Sequence, residues 1–243
     1  MWDNPRVLNT MADALLALVA AAILYLGLQL LLRSPLFPLR EVVVHGTLKQ
    51  ALRADIERAI GPIDGNFFAA DLAAVRARLE QVAWVRRVEA RRIWPDRIEV
   101  RLEEHVALAR WGDAGLVNTF GEPFAARIGE LEAPLPLFGG PPGGEDEVAR
   151  RYRRFVELLA PLGEVPVSVT LTARHAWRLR LASGLHLELG RDGADAVEQR
   201  LARFAAAYPD ALGRLGLRGA AGMLHVDLRY PNGFALRVAG GNG

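Results

Sequence analysis

The sequence predicts an α+β protein hung from one N-terminal transmembrane helix, and three observations carry that reading. An apolar run from Ala14 to Leu32, broken only by Gln29, has no counterpart further along the chain. Residues 39–105 then follow the order strand, helix, helix, strand, strand. From Val106 a longer region of short strands is interrupted by two helices.

At 1.5 Å rise per residue, a run of this length spans roughly 28 Å as a helix, close to the hydrocarbon thickness of a bilayer. Leu15, Leu18, Val19, Ile23, Leu24 and Leu26 cover every face of it, which burial of a single amphipathic stripe does not explain. A cleaved signal peptide competes. The run ends in Leu31-Leu32-Arg33-Ser34-Pro35, without well-placed small residues for cleavage, and its polar head is not strongly basic. Met1–Asp13 is too short to fold, and 33–38, with Pro35 and Pro38, reads as a linker. Arg6 on one side and Arg33 and Arg40 on the other leave the orientation open.

In the first folded region, Leu39 to His45 reads as a strand stopped by Gly46. Lys49 to Ile60 puts Leu52, Ile56, Ala59 and Ile60 on one helical face, and Gly61-Pro62 ends it. Asp71 is the expected N-cap of a second helix carrying Leu72, Val75 and Leu79 and ending near Gln81. Val85 to Ile93 and Arg97 to Glu103 flank the turn Trp94-Pro95-Asp96 as a hairpin. Ile98, Val100 and Leu102 point inward, and Arg97, Glu99, Arg101 and Glu103 outward. The hairpin arginines Arg86, Arg87, Arg91, Arg92, Arg97 and Arg101 alternate with Glu89, Glu99 and Glu103, the pattern of cross-strand pairs on a solvated face; no aromatic ladder for base stacking is interleaved.

In the second region the strand candidates are Ala107–Trp111, Gly115–Asn118, Leu135–Phe138, Val167–Thr172, Trp177–Leu181, Leu185–Leu189, Leu224–Tyr230 and Phe234–Val238. Glu145–Leu162 and Ala194–Tyr208 are helical, the second ending before Pro209. Gly139 to Gly144 reads as a hinge, since no Walker lysine-serine pair or dinucleotide fingerprint accompanies its glycines.

Thirty basic and twenty-eight acidic residues nearly balance, which argues against nucleic-acid binding. The absence of cysteine removes disulfides and thiol chemistry. His45, His105, His175, His186 and His225 are scattered without metal-ligand spacing, no Gly-x-Ser-x-Gly elbow exists, and adjacent Glu103 and Glu104 point to opposite strand faces. No catalytic constellation is expected.

The stretch from Trp84 to Asp96 (Trp-Val-Arg-Arg-Val-Glu-Ala-Arg-Arg-Ile-Trp-Pro-Asp), continuing through Glu104-His105-Val106 to Trp111, resembles the FtsQ/DivIB family of bacterial cell-division proteins. Thr172 to Trp177, Leu189-Gly190-Arg191, Arg200 to Phe204 with Tyr208-Pro209, and Val226 to Tyr230 extend the likeness to nearly the whole chain. The resemblance implies a cytoplasmic tail (1–13), a transmembrane helix (14–32), a linker (33–38), a POTRA domain (39–105), a β domain (106–238) and a flexible C-terminal tail (239–243). It implies an inner-membrane, non-catalytic scaffold concentrated at the septum, without cofactor. Its partners would be the single-pass proteins FtsB and FtsL, linked to septal peptidoglycan synthesis.

Within the family FtsB pairs with the last strand of the β domain. The resemblance therefore implicates Tyr230 first, then Arg229, Asn232 and Gly233 around the turn, Phe234, Ala235 and Leu236 as pairing backbone, and Arg174 against acidic partner residues. The tail Ala239-Gly240-Gly241-Asn242-Gly243 is too small to cover that strand's free side, and an uncovered edge invites strand addition. Strand alternation alone equally places Tyr230 on the core face of Val226 and Leu228. Two other classes compete. A POTRA-bearing polypeptide-transport component would carry a long series of amphipathic barrel strands, and a membrane-anchored cell-wall enzyme would need the missing catalytic groups.

Overall fold

The computed structural model describes residues 5–238 apart from 33, 35–36, 47, 52, 64–65, 114, 127–133, 194–195, 216–223 and 231–232. Leu52, Asn232 and the 239–243 tail therefore lie outside the described residues. The chain divides into two units, Met1–Glu104 and His105–Gly243.

The first unit opens with α1 (Pro5–Leu32), whose stretch Asn9–Leu31 is long and apolar enough to cross a membrane. Helical structure thus starts well ahead of Ala14. β1 (Glu41–His45), α2 (Arg53–Ile60), α3 (Leu72–Leu79), β2 (Val85–Ile93) and β3 (Arg97–Glu104) follow. The three strands form one sheet in the order β1-β3-β2, with β1 parallel to β3 and β2 antiparallel to it. Ile56, Val75, Leu79, Val88, Ile98 and Val100 are buried in its core. Asp71 caps α3 as expected, accepting from Ala74 N at 3.0 Å.

Two expectations for this unit need correction. α2 begins at Arg53 rather than Lys49 because the Glu104 carboxylate accepts the backbone N–H groups of Lys49 (2.8 Å), Gln50 and Ala51 (2.7 Å), holding that segment outside the helix. Glu99, expected in solvent, is 8 % exposed. It is enclosed by Arg91, by Arg101 at 3.0 Å and by His45 at 3.6 Å, and the hydrogen bond from Arg91 leads the effects that hold its carboxyl below the usual range. Of the other hairpin arginines, Arg86, largely covered, pairs with Glu103 at 2.7 Å, and Arg92 donates to the carbonyls of Phe67, Phe68 and Ala70.

The second unit contains β4 (Ala107–Trp111), β5 (Gly115–Asn118), β6 (Pro123–Phe124), β7 (Leu137–Gly139), α4 (Glu145–Leu159), β8 (Pro166–Leu171), β9 (Ala176–Leu181), β10 (His186–Arg191), α5 (Val197–Leu215), β11 (Leu224–Asp227) and β12 (Ala235–Val238). The strands make one sheet ordered β12-β11-β10-β9-β8-β7-β4-β5-β6. α4 buries Val148, Ala149, Phe155 and Leu159, and α5 buries Val197, Leu201, Phe204 and Tyr208; with Trp177, Leu187 and Leu189 of the sheet they form a continuous core. Phe155 meets Trp177 edge to face at 5.7 Å.

Here too the sequence reading needs amendment. The two-residue strand β6 has too little pattern to be read in advance. α5 continues through Pro209 to Leu215, since a proline removes one helical donor without forbidding the turns after it. Gly139–Gly144 lies wholly inside this unit as a turn, with Gly144 N bonded to Pro141 O at 3.0 Å and a Cβ on Gly140 meeting the Trp111 ring at 2.9 Å. It leads directly into α4, which packs on β8.

Candidate partner-docking edge

The site is built by the last hairpin. β12 is the outermost strand, antiparallel to β11 with Asp227 opposite Ala235, Val226 opposite Leu236 and His225 opposite Arg237; no described strand covers its other side. β11 is parallel to β10, with Glu188 opposite Asp227. Leu228 N donates to Glu188 O at 2.9 Å, which fixes the phase of the ladder. Val226 and Leu228 turn their backbone groups toward β10, and alternation turns those of His225 and Asp227 toward β12. Ala235 and Arg237 therefore spend their N–H and C=O groups on β11, and Leu236 presents its own to the open edge. The side chains of Phe234 and Leu236 pack on the core, so the strand is held from one side and its backbone is offered from the other.

The strand β11 ends at Asp227, earlier than Tyr230, because Leu228 is the last residue bonded along β10 and the chain then departs. Tyr230 consequently stands 54 % exposed, which removes the core alternative for it. Arg229 curls back onto Asp227, donating from Nε to Oδ1 at 2.8 Å and from Nη2 to Oδ2 at 2.5 Å, while its backbone N–H meets the same carboxylate at 3.0 Å. The guanidinium hydrogen bond is the main cause that holds the Asp227 carboxyl below its ordinary range and raises the Arg229 pKa in return.

The structure brings together residues far apart in sequence. Arg174, exposed in the β8–β9 turn, lines one surface concavity with Arg178, Glu188, Gly190 and Arg229. Arg178 is paired with Glu188 at 2.8 Å. Arg174 thus stands at one end of the terminal hairpin beside Arg229, whose charge Asp227 already matches. On the helix side, Phe204, Ala207, Leu228 and Phe234 line an open groove, with the Phe204 and Phe234 rings edge to face at 5.3 Å. Gly233 is exposed beside that groove. Exposed Tyr230, half-buried Phe234, the Arg174 guanidinium and an open strand edge suit an extended acidic-apolar peptide.

Three positioning residues were missed by sequence reasoning. Gly190 has φ +74°, and a Cβ there would lie 2.8 Å from Arg229 Cγ. The register shift between Glu188 and Gly190 is the signal a lone glycine in a strand carries. Arg200, buried on α5, donates to Leu189 O and Arg191 O and pins the helix behind that glycine. Asp227 fixes Arg229.

The histidines show no metal geometry. His105 stacks on Phe124 at 4.2 Å and contacts buried Asn118, and His186 pairs with His225 at 4.7 Å between ring centres. No group of three metal-ligating side chains occurs among the described residues.

Comparison with known proteins adds the family. Residues 37–105 match the FtsQ-type POTRA domain, and residues 109–229 match the C-terminal domain of cell division protein FtsQ/DivIB. The chain is 42 % identical to cell division protein FtsQ of Burkholderia pseudomallei, with 99 % of this chain and 95 % of the relative covered. It is 40 % identical to that of Nitrosospira multiformis (98 % and 99 % covered) and 32 % identical to that of Coxiella burnetii (96 % and 94 % covered). Together with the α+β fold and the N-terminal apolar helix, these matches show that the chain belongs to the FtsQ/DivIB family of cell-division proteins.

Proposed function

We propose that this chain is a non-enzymatic bitopic scaffold of the division machinery. Its first thirteen residues are cytoplasmic and the residues after Arg33 are periplasmic, with the β domain holding an FtsB-type partner and, with it, FtsL near the septal peptidoglycan synthase. The observation that supports this reading is the open β12 edge, where the outward backbone groups of Leu236 lie in the same hairpin as exposed Tyr230 and Arg229. Docking then proceeds by strand addition: main-chain bonds from the edge give affinity, Tyr230 and the groove beside Phe234 take apolar partner side chains, and Arg174 selects acidic ones, with Arg229 held by Asp227 beside it. A photo-crosslinking residue at position 230 in living cells, combined with a fluorescent fusion, tests the whole proposal. A crosslink to a small single-pass division protein together with septal fluorescence is expected; septal fluorescence with no such adduct from 230 would reject the docking edge.

A further inference from the structure

The first unit carries exposed apolar groups: Trp94 is 76 % exposed, Phe68 41 % and Ile93 37 %. They share one end of the unit. Arg92 donates to the carbonyls of Phe67 (2.8 Å), Phe68 and Ala70 (2.6 Å), tying the loop before α3 to the end of β2 that Ile93 and Trp94 complete.

That end is also where the chain leaves α1. Ser34 N bonds back to Leu31 O at 3.2 Å, so Ser34 sits on the end of the apolar helix, and Asn66 Nδ2 donates to Ser34 O at 2.8 Å. Phe67 N donates to Phe37 O at 2.9 Å, and the Phe37 and Phe68 rings meet edge to face at 5.0 Å. Arg40 N then reaches Asp96 O in the hairpin tip at 3.0 Å. Six residue steps separate Ser34 from Arg40, at most about 22 Å even if fully extended. β1 and β3 both run away from this end, in parallel, carrying Glu103 more than about 15 Å from the tip.

An exposed tryptophan and phenylalanine within such reach of the end of a bilayer-length helix are where an interfacial aromatic belt would be, with the ring bodies among acyl chains and headgroups. The charges beside them are of both signs. Arg97 pairs with Glu41 at 3.0 Å and Arg40 lies 3.9 Å from Asp96, while Arg92 is spent on carbonyls, so the rim is polar without being acidic. We propose that Trp94, Ile93 and Phe68 form a second membrane contact, seated in the headgroup layer of the same bilayer that α1 crosses, and so hold the first unit against the lipid surface. This rests on α1 spanning the membrane.

The cysteine-free sequence allows single nitroxide labels at Ile93→Cys, Phe68→Cys, Leu24→Cys and Glu103→Cys in the full chain, reconstituted in vesicles of phosphatidylethanolamine and phosphatidylglycerol (about 3:1). Saturation by oxygen against a water-soluble nickel chelate reads the depth of each label. Labels at 24, 93 and 68 are expected to favour oxygen, the first most deeply, and the label at 103 to favour nickel. Adding Trp94→Ser should move the 68 label toward the aqueous value with circular dichroism unchanged. Leu24 buried while 93 and 68 behave like 103 overturns the second contact alone. An aqueous Leu24 overturns the span and the contact together.

Discussion

Gly190→Ala should weaken the second unit through a single backbone position. At φ +74° an L-residue costs about 1–2 kcal/mol relative to glycine. The added Cβ also meets Arg229 Cγ at 2.8 Å and Arg200 Nη1 at 3.1 Å. Arg229 is mostly exposed and can swing away, giving up an Asp227 pair worth about 0.5 kcal/mol in a largely solvated setting. Arg200 is buried and can give only slightly. The sum is about 2–3 kcal/mol, which for a unit of this size lowers Tm by roughly 5–10 °C. Thermal unfolding of the full chain in detergent, followed by circular dichroism, measures it. Arg229→Ala should be nearly neutral alone and should relieve part of the loss when combined with Gly190→Ala. A Tm unchanged by Gly190→Ala, or strictly additive effects in the double variant, would refute the argument that Gly190 makes room for Arg229.

Other perturbations separate core from surface and docking from folding. Val100→Asp places a carboxylate where a fully buried valine stood and should unfold the first unit, whereas Arg101→Ala, which leaves Glu99 paired with Arg91, should melt far closer to the parent; equal melting of the two variants would contradict the register. Burial, then the neighbouring His225 and Arg180, lowers the His186 pKa, so the unfolded chain takes up protons first as pH falls through about 6.5 and stability drops there until the folded-state pKa is passed. His186→Gln should accordingly raise Tm relative to the parent more at pH 5 than at pH 7.5, and a pH-independent difference would count against it. Tyr230→Ala should leave stability within about 0.5 kcal/mol of the parent yet reduce capture of an FtsB-type partner, while Ala235→Pro, which removes the donor facing Asp227, should loosen the hairpin and lose both stability and capture. Periplasmic phosphatase activity from a reporter fused at Gly243 is expected; cytoplasmic reporter fluorescence there would reverse the topology.

Most of the architecture was legible because it rests on local periodicity. Val75 and Leu79 at helical spacing, Ile98, Val100 and Leu102 at strand spacing, and Asp71 ahead of an apolar repeat each signal their element without tertiary help. What was not legible depends on residues distant in the chain. Glu104 looked like one of two idle strand carboxylates, and only folding brings it to the backbone of 49–51. Glu99 has the alternation of a solvated residue, but Arg91 of β2, Arg101 of its own strand and the His45 ring of β1 enclose it. The open edge could be argued from the glycine-rich tail. The direction of each backbone N–H could not, because it depends on which residue of β11 bonds β10. For the same reason the sequence left Tyr230 between core and surface, and the early departure of the chain after Leu228 puts its side chain outside.

The central claim, that β12 receives its partner by backbone pairing, is tested most directly by amide hydrogen exchange at Leu236 with and without a peptide from the periplasmic end of an FtsB-type protein. Alone, the Leu236 amide should exchange far faster than those of Ala235 and Arg237, which face β11. With the peptide bound, Leu236 exchange should slow at least about tenfold, as one internal hydrogen bond of about 1.4 kcal/mol requires. Saturating peptide that binds while Leu236 exchanges at its free rate would contradict strand addition at this edge.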